Sequence, residues 1–184
     1  DAAKAIVSCF SKDRILIFTN KPFIVDEEHQ HYGRMDGRVY GIKAWETPQA
    51  SRQSKGSHIR NVLNKIQDDE EIISILPITK EMESNAEEYF IFFATRKGRV
   101  KKTTLAEYTG SKSINKNGKR AIILPEGDQL ISVRIGNDQS NIVLISNKGN
   151  ACRFNPSTLK ERKDAETGEI KLSPILRPLG RNTQ

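Results

Sequence analysis

The side chains in this sequence best suited to chemistry are cationic, and they are clustered. Residues 96–120 hold Arg96, Lys97, Arg99, Lys101, Lys102, Lys112, Lys116, Lys119 and Arg120 against one acid, Glu107. That stretch carries +8 while the whole chain carries +7, so the rest sums to about zero. The opposite bias falls at residues 67–88, with eight acids and one Lys. A chain so polarised presents one cationic face, which suits a polyanion. The basic residues also recur in Gly-containing loops. "SRQSKGSHIR" (51–60) supplies Arg52, Lys55 and Arg60, "SKSINKNGKR" (111–120) supplies Lys112, Lys116, Lys119 and Arg120, and "RPLGRNTQ" (177–184) supplies Arg177 and Arg181. Phosphates are evenly spaced along a duplex. Loops at the same place in successive units would follow them, with Lys and Arg displacing counterions and Gly and Ser letting the backbone come close. No aromatic series is interleaved with these cations, which argues against single-stranded nucleic acid. No zinc-finger spacing or RNA-recognition aromatic motif is present.

Other chemistry finds little support. His29 and His31 flank Gln30 and would share a strand face, but two His without a third ligand nearby make a surface pair rather than a metal site. Cys9 and Cys152 are too few for a disulfide framework and read as small buried hydrophobes in strands. There is no nucleophile motif, phosphate-cradling Gly loop or Walker pattern. The acids at 68–71 read as a solvated turn, and Tyr40 and Trp45 as core between units. No apolar run approaches the roughly 18 residues of a membrane span. The opening "DAAKAIVSCF" has neither a basic n-region nor an h-region. It also lacks a start Met, as expected of a piece of a longer protein.

The elements that must position the cations are short strands. Segments rich in Ile, Val and Phe and bounded by turn residues fall at 3–10, 14–19, 38–43, 71–78, 89–95, 120–124, 129–135 and 141–146. That spacing predicts an all-β sandwich, barrel or propeller-like array. "HIRNVLNKI" (58–66) is compatible with a short helix. The chain also repeats itself. "FFATRKGRVKKTTLAEY" (92–108) aligns with "LISNKGNACRFNPSTLKE" (144–161), each a strand, a turn closing on Gly98 or Gly149, and a second strand. Such a turn suits a hairpin whose Gly takes positive φ. A third copy, strands at 15–21 and 37–48, is interrupted by residues 22–36, read as an insertion that extends the hairpin. Residues 160–171 read as a surface loop. The expectation is a single domain over 1–184 with repeats at 11–78, 88–135 and 140–184. Residues 1–10 would be the last strand of a preceding unit or a closing strand. Closed propellers have about four to eight blades, so three units imply an open arc or a fragment.

The run "GRVYGIKAWETPQASRQSKGSHIRNVLN" (37–64), together with "FFATRKGRVKKTTLAEY" and "RPLGRNTQ", resembles the C-terminal domain of the A subunit of bacterial DNA gyrase. The resemblance covers most of the chain outside 22–36 and 160–171. It implies an all-β β-pinwheel of about three blades, with strands exchanged between neighbours. Its implied role is non-catalytic: binding and wrapping duplex DNA of no strong sequence preference. The whole enzyme, an ATP-dependent type IIA topoisomerase, would then introduce negative supercoils. The implied partners, besides DNA, are the rest of the gyrase A subunit and the gyrase B subunit in an A2B2 enzyme, in the cytoplasm at the nucleoid and without a membrane. No cofactor is implied for this domain. ATP and Mg, like the cleavage Tyr, belong to other parts of the enzyme. The family's Gln-Arg-Arg-Gly-Gly-x-Gly box has no counterpart here, since Gln53-Ser54-Lys55-Gly56 sits in the following blade by its neighbours. Either the box lies upstream of Asp1, or the protein lacks it and wraps weakly. The related C-terminal domain of the topoisomerase IV C subunit is the nearest alternative, though "ETPQASRQSKG" favours gyrase. A propeller-like protein-interaction module is the alternative of a different class.

Overall fold

Alternating apolar residues on both faces set the first strand. In β1 (Arg14–Asp26), Leu16 and Phe18 point to one side and Ile15 and Ile17 to the other, and all four are buried. A strand covered on both faces reads as a continuous apolar run. The computed structural model describes residues 14–26, 31–48, 51, 53–63, 65–109, 114–159, 162–163, 170–171 and 173–174. The segment expected as a strand at 3–10 and the basic loop at 177–184 lie outside them.

β1 forms a hairpin with β2 (His31–Lys43), and pairing runs from Arg14↔Lys43 out to Asp26↔His31. The insertion at 22–36 therefore extends the hairpin, as expected. β3 (Glu71–Ile78) pairs with the outer side of β1. After a five-residue helix α1 (Lys80–Ser84), β4 (Tyr89–Thr95) and β5 (Arg99–Thr104) form the second hairpin. β6 (Lys119–Ile123) then returns to the first sheet and pairs with β2. β7 (Leu130–Asn137) completes the side of β4. β8 (Ile142–Ile145) and β9 (Ala151–Phe154) make a third hairpin, followed by the short pair β10 (Arg162–Lys163) and β11 (Ile170–Lys171). The stretch read as a surface loop thus carries a small ladder. β12 (Ser173–Pro174) pairs with β5.

The two four-stranded sheets, β3-β1-β2-β6 and β7-β4-β5-β12, share one plan. Each is an antiparallel hairpin flanked on one side by a strand of its own unit and on the other by a strand from the next unit. Gly98 (φ 75) and Gly149 (φ 78) take the expected left-handed conformation at their turns.

One core lies between the sheets. Leu16, Phe18, Val39, Leu76 and Ile78 from the first meet Ile91, Phe93, Leu130 and Val133 from the second. Phe18 packs edge-to-face on Phe93 (centroids 5.5 Å apart) and Tyr108 (6.2 Å), the arrangement the ring quadrupoles favour. Asn20 ties the sheets together through Leu130, donating to its carbonyl at 2.8 Å and accepting from its N–H at 3.1 Å. A second cluster, Ile15, Ile17, Tyr40 and Ile42, is covered by Leu63 and Ile66. The covering segment, compatible with a short helix in sequence, forms a single 3-10 turn at Ile59–Asn61.

Each sheet carries the same polar anchor. The ladder slips between Phe18 and Thr19, and again between Ala94 and Thr95. At both bulges the Thr hydroxyl donates to a carboxylate of the acidic turn. Thr19 Oγ1 reaches Glu70 at 2.6 Å, and Thr95 Oγ1 reaches Asp128 at 2.8 Å. Glu70 also accepts from the Tyr40 hydroxyl at 2.8 Å and the Gln67 N–H at 3.1 Å. This corrects the reading of 68–71 as wholly solvated. Asp68, Asp69 and Glu71 are exposed, but Glu70 is 8% exposed and fully partnered. Two further corrections concern core assignments. Tyr40 is buried, but Trp45 is 62% exposed, because the strand ends at Lys43 and the following 3-10 turn buries Ala44 instead. Cys152 is only half-buried, because the two-stranded β8–β9 hairpin leaves its neighbours Ala151 and Arg153 exposed.

Burial, then the hydrogen bond and charge of Glu70, push the Tyr40 hydroxyl well above the ordinary tyrosine range, and burial does the same for Tyr108. The folded state therefore favours their protonated form. That stabilisation is complete below an unfolded-state value of about 10 and is lost as pH rises through the raised folded-state values. Tyrosinate absorbance during an alkaline titration should show these two hydroxyls ionising only together with loss of the far-ultraviolet strand signal. Their ionisation in a still-folded protein would refute the arrangement.

Candidate nucleic-acid interface

The basic loop before β6 is anchored on the first sheet by its own backbone. Ile114 is buried in the shared core, and the Gly41 N–H donates to the Asn115 carbonyl at 3.1 Å. A Cβ on Gly41 would stand 2.2 Å from the Ile114 carbonyl oxygen, so only Gly lets the loop settle there. Gly118 turns the chain at φ +74 directly over the Tyr40 ring, where a Cβ would come within 2.4 Å. β6 then runs along β2 with Lys119 opposite Val39 and Arg120 opposite Arg38.

That edge collects charge. Lys119 and Lys43 are exposed. The Arg120 guanidinium pairs with Asp36 at 3.2 Å yet stays about half exposed. Lys116 pairs with Glu46 at 3.4 Å, and Arg14 with Glu83 at 3.3 Å. The half-buried Arg38 guanidinium stands 5.8 Å from the Tyr40 ring centroid. A cleft of about 360 Å³ opens here, lined by Arg14, Gly41, Lys43, Glu46, Asn115 and Lys116 among others. Six cations along this edge and the cleft beside it (Arg14, Arg38, Lys43, Lys116, Lys119, Arg120) face three paired carboxylates, Glu83, Glu46 and Asp36, leaving the region positive.

A second group sits at the β4–β5 turn. Arg96 and Lys97 are exposed, with Lys97 Nζ donating to the Glu126 carbonyl at 2.9 Å, and Arg99 is half-buried at the start of β5. Lys101 and Lys102 behave differently. They lean back over the phenyl rings of β4. Lys101 Nζ donates to the Ala121 carbonyl of β6 at 2.8 Å and lies 5.6 Å from the Phe93 centroid. Lys102 Nζ pairs with Asp138, lies 3.7 Å from the Phe90 centroid, and its side chain is 9% exposed. Both ammonium groups are thus engaged within the fold, Lys101 with β6 and Lys102 with the turn after β7. Lys55 is exposed, and Arg60 is exposed and pairs with Asp68. Arg52, Lys112, Arg177 and Arg181 lie outside the described residues.

The structure thus brings Lys116, Lys119 and Arg120 to one edge, and Arg96, Lys97 and Arg99 to another place. Sequence reasoning passed over Arg14, Arg38 and Lys43. A signal existed for one of them, since Gly37-Arg38-Val39 repeats as Gly98-Arg99-Val100. Among the described residues no group of three or more His, Cys, Asp or Glu is placed to hold a metal ion. No helix among them is long and apolar enough to cross a membrane.

Two sheets of one plan, each completed by a strand from the next unit, with a basic loop leading into the donated β6, define a propeller-like repeat protein with a cationic edge. The sequence matches the family described as DNA gyrase C-terminal domain, beta-propeller, over residues 35–79, 89–137 and 140–173. The chain belongs to this family. It is 36% identical over 168 residues to the DNA gyrase A subunit of Staphylococcus aureus strain MRSA252, and 35% identical to that of strain NCTC 8325. In each case the match covers 91% of this chain and 16% of the relative, so the chain spans about a sixth of these proteins' length. It also resembles a crystal structure of the C-terminal domain of DNA topoisomerase IV, with TM-score 0.59 and 28% identity. That match covers 80% of this chain and 39% of the other.

Proposed function

We propose that this chain is a duplex-DNA-binding and bending module of a DNA gyrase A subunit, organised as a single β-pinwheel domain of about three repeats. The observation that carries the reading is the donated strand β6. The basic loop before it is fixed to the neighbouring unit, so its cations ride on the junction between units rather than on a free loop. Cations at such junctions would form a track for phosphates, and no base-reading helix is present among the described residues, which fits binding without strong sequence preference. On this reading successive junctions turn, so the track is curved and the DNA on it must bend. On this reading the whole enzyme couples ATP to negative supercoiling together with the rest of the A subunit and with the B subunit. ATP and Mg act in other parts of that enzyme, and the protein works at the nucleoid in the cytoplasm.

Duplex length tests the proposal. Bending a 20–30 bp site by 40–90° costs of order 1–6 kcal/mol, which contacts from more than one junction must offset. Affinity should therefore rise steeply with duplex length up to roughly 20–40 bp. Energy transfer between the labelled DNA ends should increase on binding. Bound DNA that stays straight would reject the bending module and leave a basic tether.

A further inference from the structure

The single tryptophan of the chain is spent on the surface. Trp45 is 62% exposed, although Trp is on average among the most buried residues. Its position is held firmly. Ala44 beside it is buried in the second cluster, the Thr47 N–H donates to the Ala44 carbonyl at 3.1 Å, and Glu46 accepts from the Lys43 N–H at 3.2 Å. Glu46 also holds Lys116 of the basic loop. The indole therefore stands on a hydrogen-bonded turn between two residues that line the cationic cleft, Lys43 and Glu46, with the Lys43 ammonium 5.4 Å from its ring centroid.

Its surroundings say what it would meet. Among the described residues the other exposed large apolar side chains are Ile72 and Ile75 on β3, Ile131 on β7, and Val143 and Ile145 on β8, and none of them lines this cleft. A protein-binding hot spot would sit inside an apolar patch. Trp45 instead stands beside Lys43, which lines the cleft together with Lys116 and Arg14. A single flat apolar group framed by cations fits a partner that alternates anionic and apolar surface at short intervals, as the phosphates and deoxyribose rings of a duplex do.

We propose that Trp45 is a direct contact for duplex DNA, its indole lying against the sugar and base edges while Lys43 and Lys116 take flanking phosphates. The inference rests on the DNA-binding reading above. It also separates two kinds of contribution at one site: the cations give salt-dependent affinity, and the indole gives salt-independent affinity.

The test uses the chain itself with a labelled 40 bp duplex, comparing wild type, Trp45→Ala and Trp45→Phe by DNA anisotropy over a range of salt. Trp45→Ala should weaken binding roughly tenfold, the scale of returning one partly buried aromatic ring to water. The slope of log K against log salt should not change, because no charge is removed. Trp45→Phe should recover most of the loss. With one tryptophan present, wild-type emission reports on this residue alone, and bound duplex should shield it from a soluble quencher. Strand content by circular dichroism should be the same for all three proteins. If Trp45→Ala binds like wild type and the indole stays open to quencher in the complex, the Trp45 contact is wrong while the DNA reading stands. If wild type fails to bind duplex even at low salt, both fall.

Discussion

Replacing Asp128 by alanine will lower the stability of the fold by about 3–5 kcal/mol, the scale of leaving three hydrogen-bond donors without a partner. Asp128 is 0% exposed. Its carboxylate accepts from the Thr95 hydroxyl at 2.8 Å, the Lys97 N–H at 3.0 Å and the Gln129 N–H at 2.9 Å. Alanine leaves these donors without their partner, two of them in the backbone of the turn between β4 and β5 and of the turn before β7. The Thr95 hydroxyl also accepts from the Arg99 N–H at 3.2 Å, so the disturbance reaches β5. Glu70→Ala should act alike in the first sheet, through Thr19 and Tyr40. The comparison is Asp69→Ala, an exposed acid in the corresponding turn, which should stay within about 0.5 kcal/mol of wild type. Urea unfolding midpoints decide the matter. Equal midpoints for Asp128→Ala and Asp69→Ala would show that the repeated carboxylate anchor contributes nothing.

Removing the three cations that β6 and its loop bring to the first sheet is expected to have the largest effect on binding. Lys116, Lys119 and Arg120, all changed to Ala, should cut duplex affinity by about 10²–10³ near 0.1 M salt. The slope of log K against log salt should become shallower by roughly 2–3, from about −5 if some six cations reach phosphate in wild type. The lower figure allows for Lys116 and Arg120, whose charges are already partly answered by Glu46 and Asp36. Lys101→Ala provides the contrast. It removes an ammonium bonded to the Ala121 carbonyl, so it should lower the urea midpoint and leave the salt slope of the folded protein nearly unchanged. A triple variant with the wild-type slope would place the DNA path away from this edge.

How far the sequence foretold these sites follows from what is local and what is not. The strands at 71–78 and 89–95 match β3 and β4 because alternation and turn residues lie within the segments themselves. The turns at Gly98 and Gly149 were legible for the same reason. The partner of a strand is not a local property. Nothing in "KRAII" distinguishes an edge of its own sheet from an edge of the neighbour's, and strand exchange entered only through the resemblance of longer motifs. Acids and bases show the same limit. Asp68, Asp69, Glu70 and Glu71 look equivalent in sequence, yet only Glu70 meets Thr19 and Tyr40. A signal was available there: a hydroxyl recurs at Thr19, Thr95 and Ser146 in aligned copies, and the first two each face an acid some way downstream. Lys101 and Lys102 were chosen on charge density, which cannot register that Phe93 and Phe90 lie beneath them. Trp45 was assigned to the core on residue type, against the end of β2 two residues before it.

Strand donation has a consequence for how the chain is made. β2 ends at Lys43 and its partner β6 begins at Lys119. At about 5–20 residues per second, a ribosome needs roughly 4–15 s to deliver the residues between them. Through that interval the outer side of β2 has no donated strand, and an uncovered edge invites pairing with other chains. The first sheet therefore matures one unit behind synthesis. Pairs such as Asp36↔Ile123 close long after their first member has emerged. The same lag dictates where the gene can be cut. A boundary drawn after β3, where the first hairpin looks finished, strands an open edge, whereas one drawn beyond Ile123 carries the cover along with the sheet it completes.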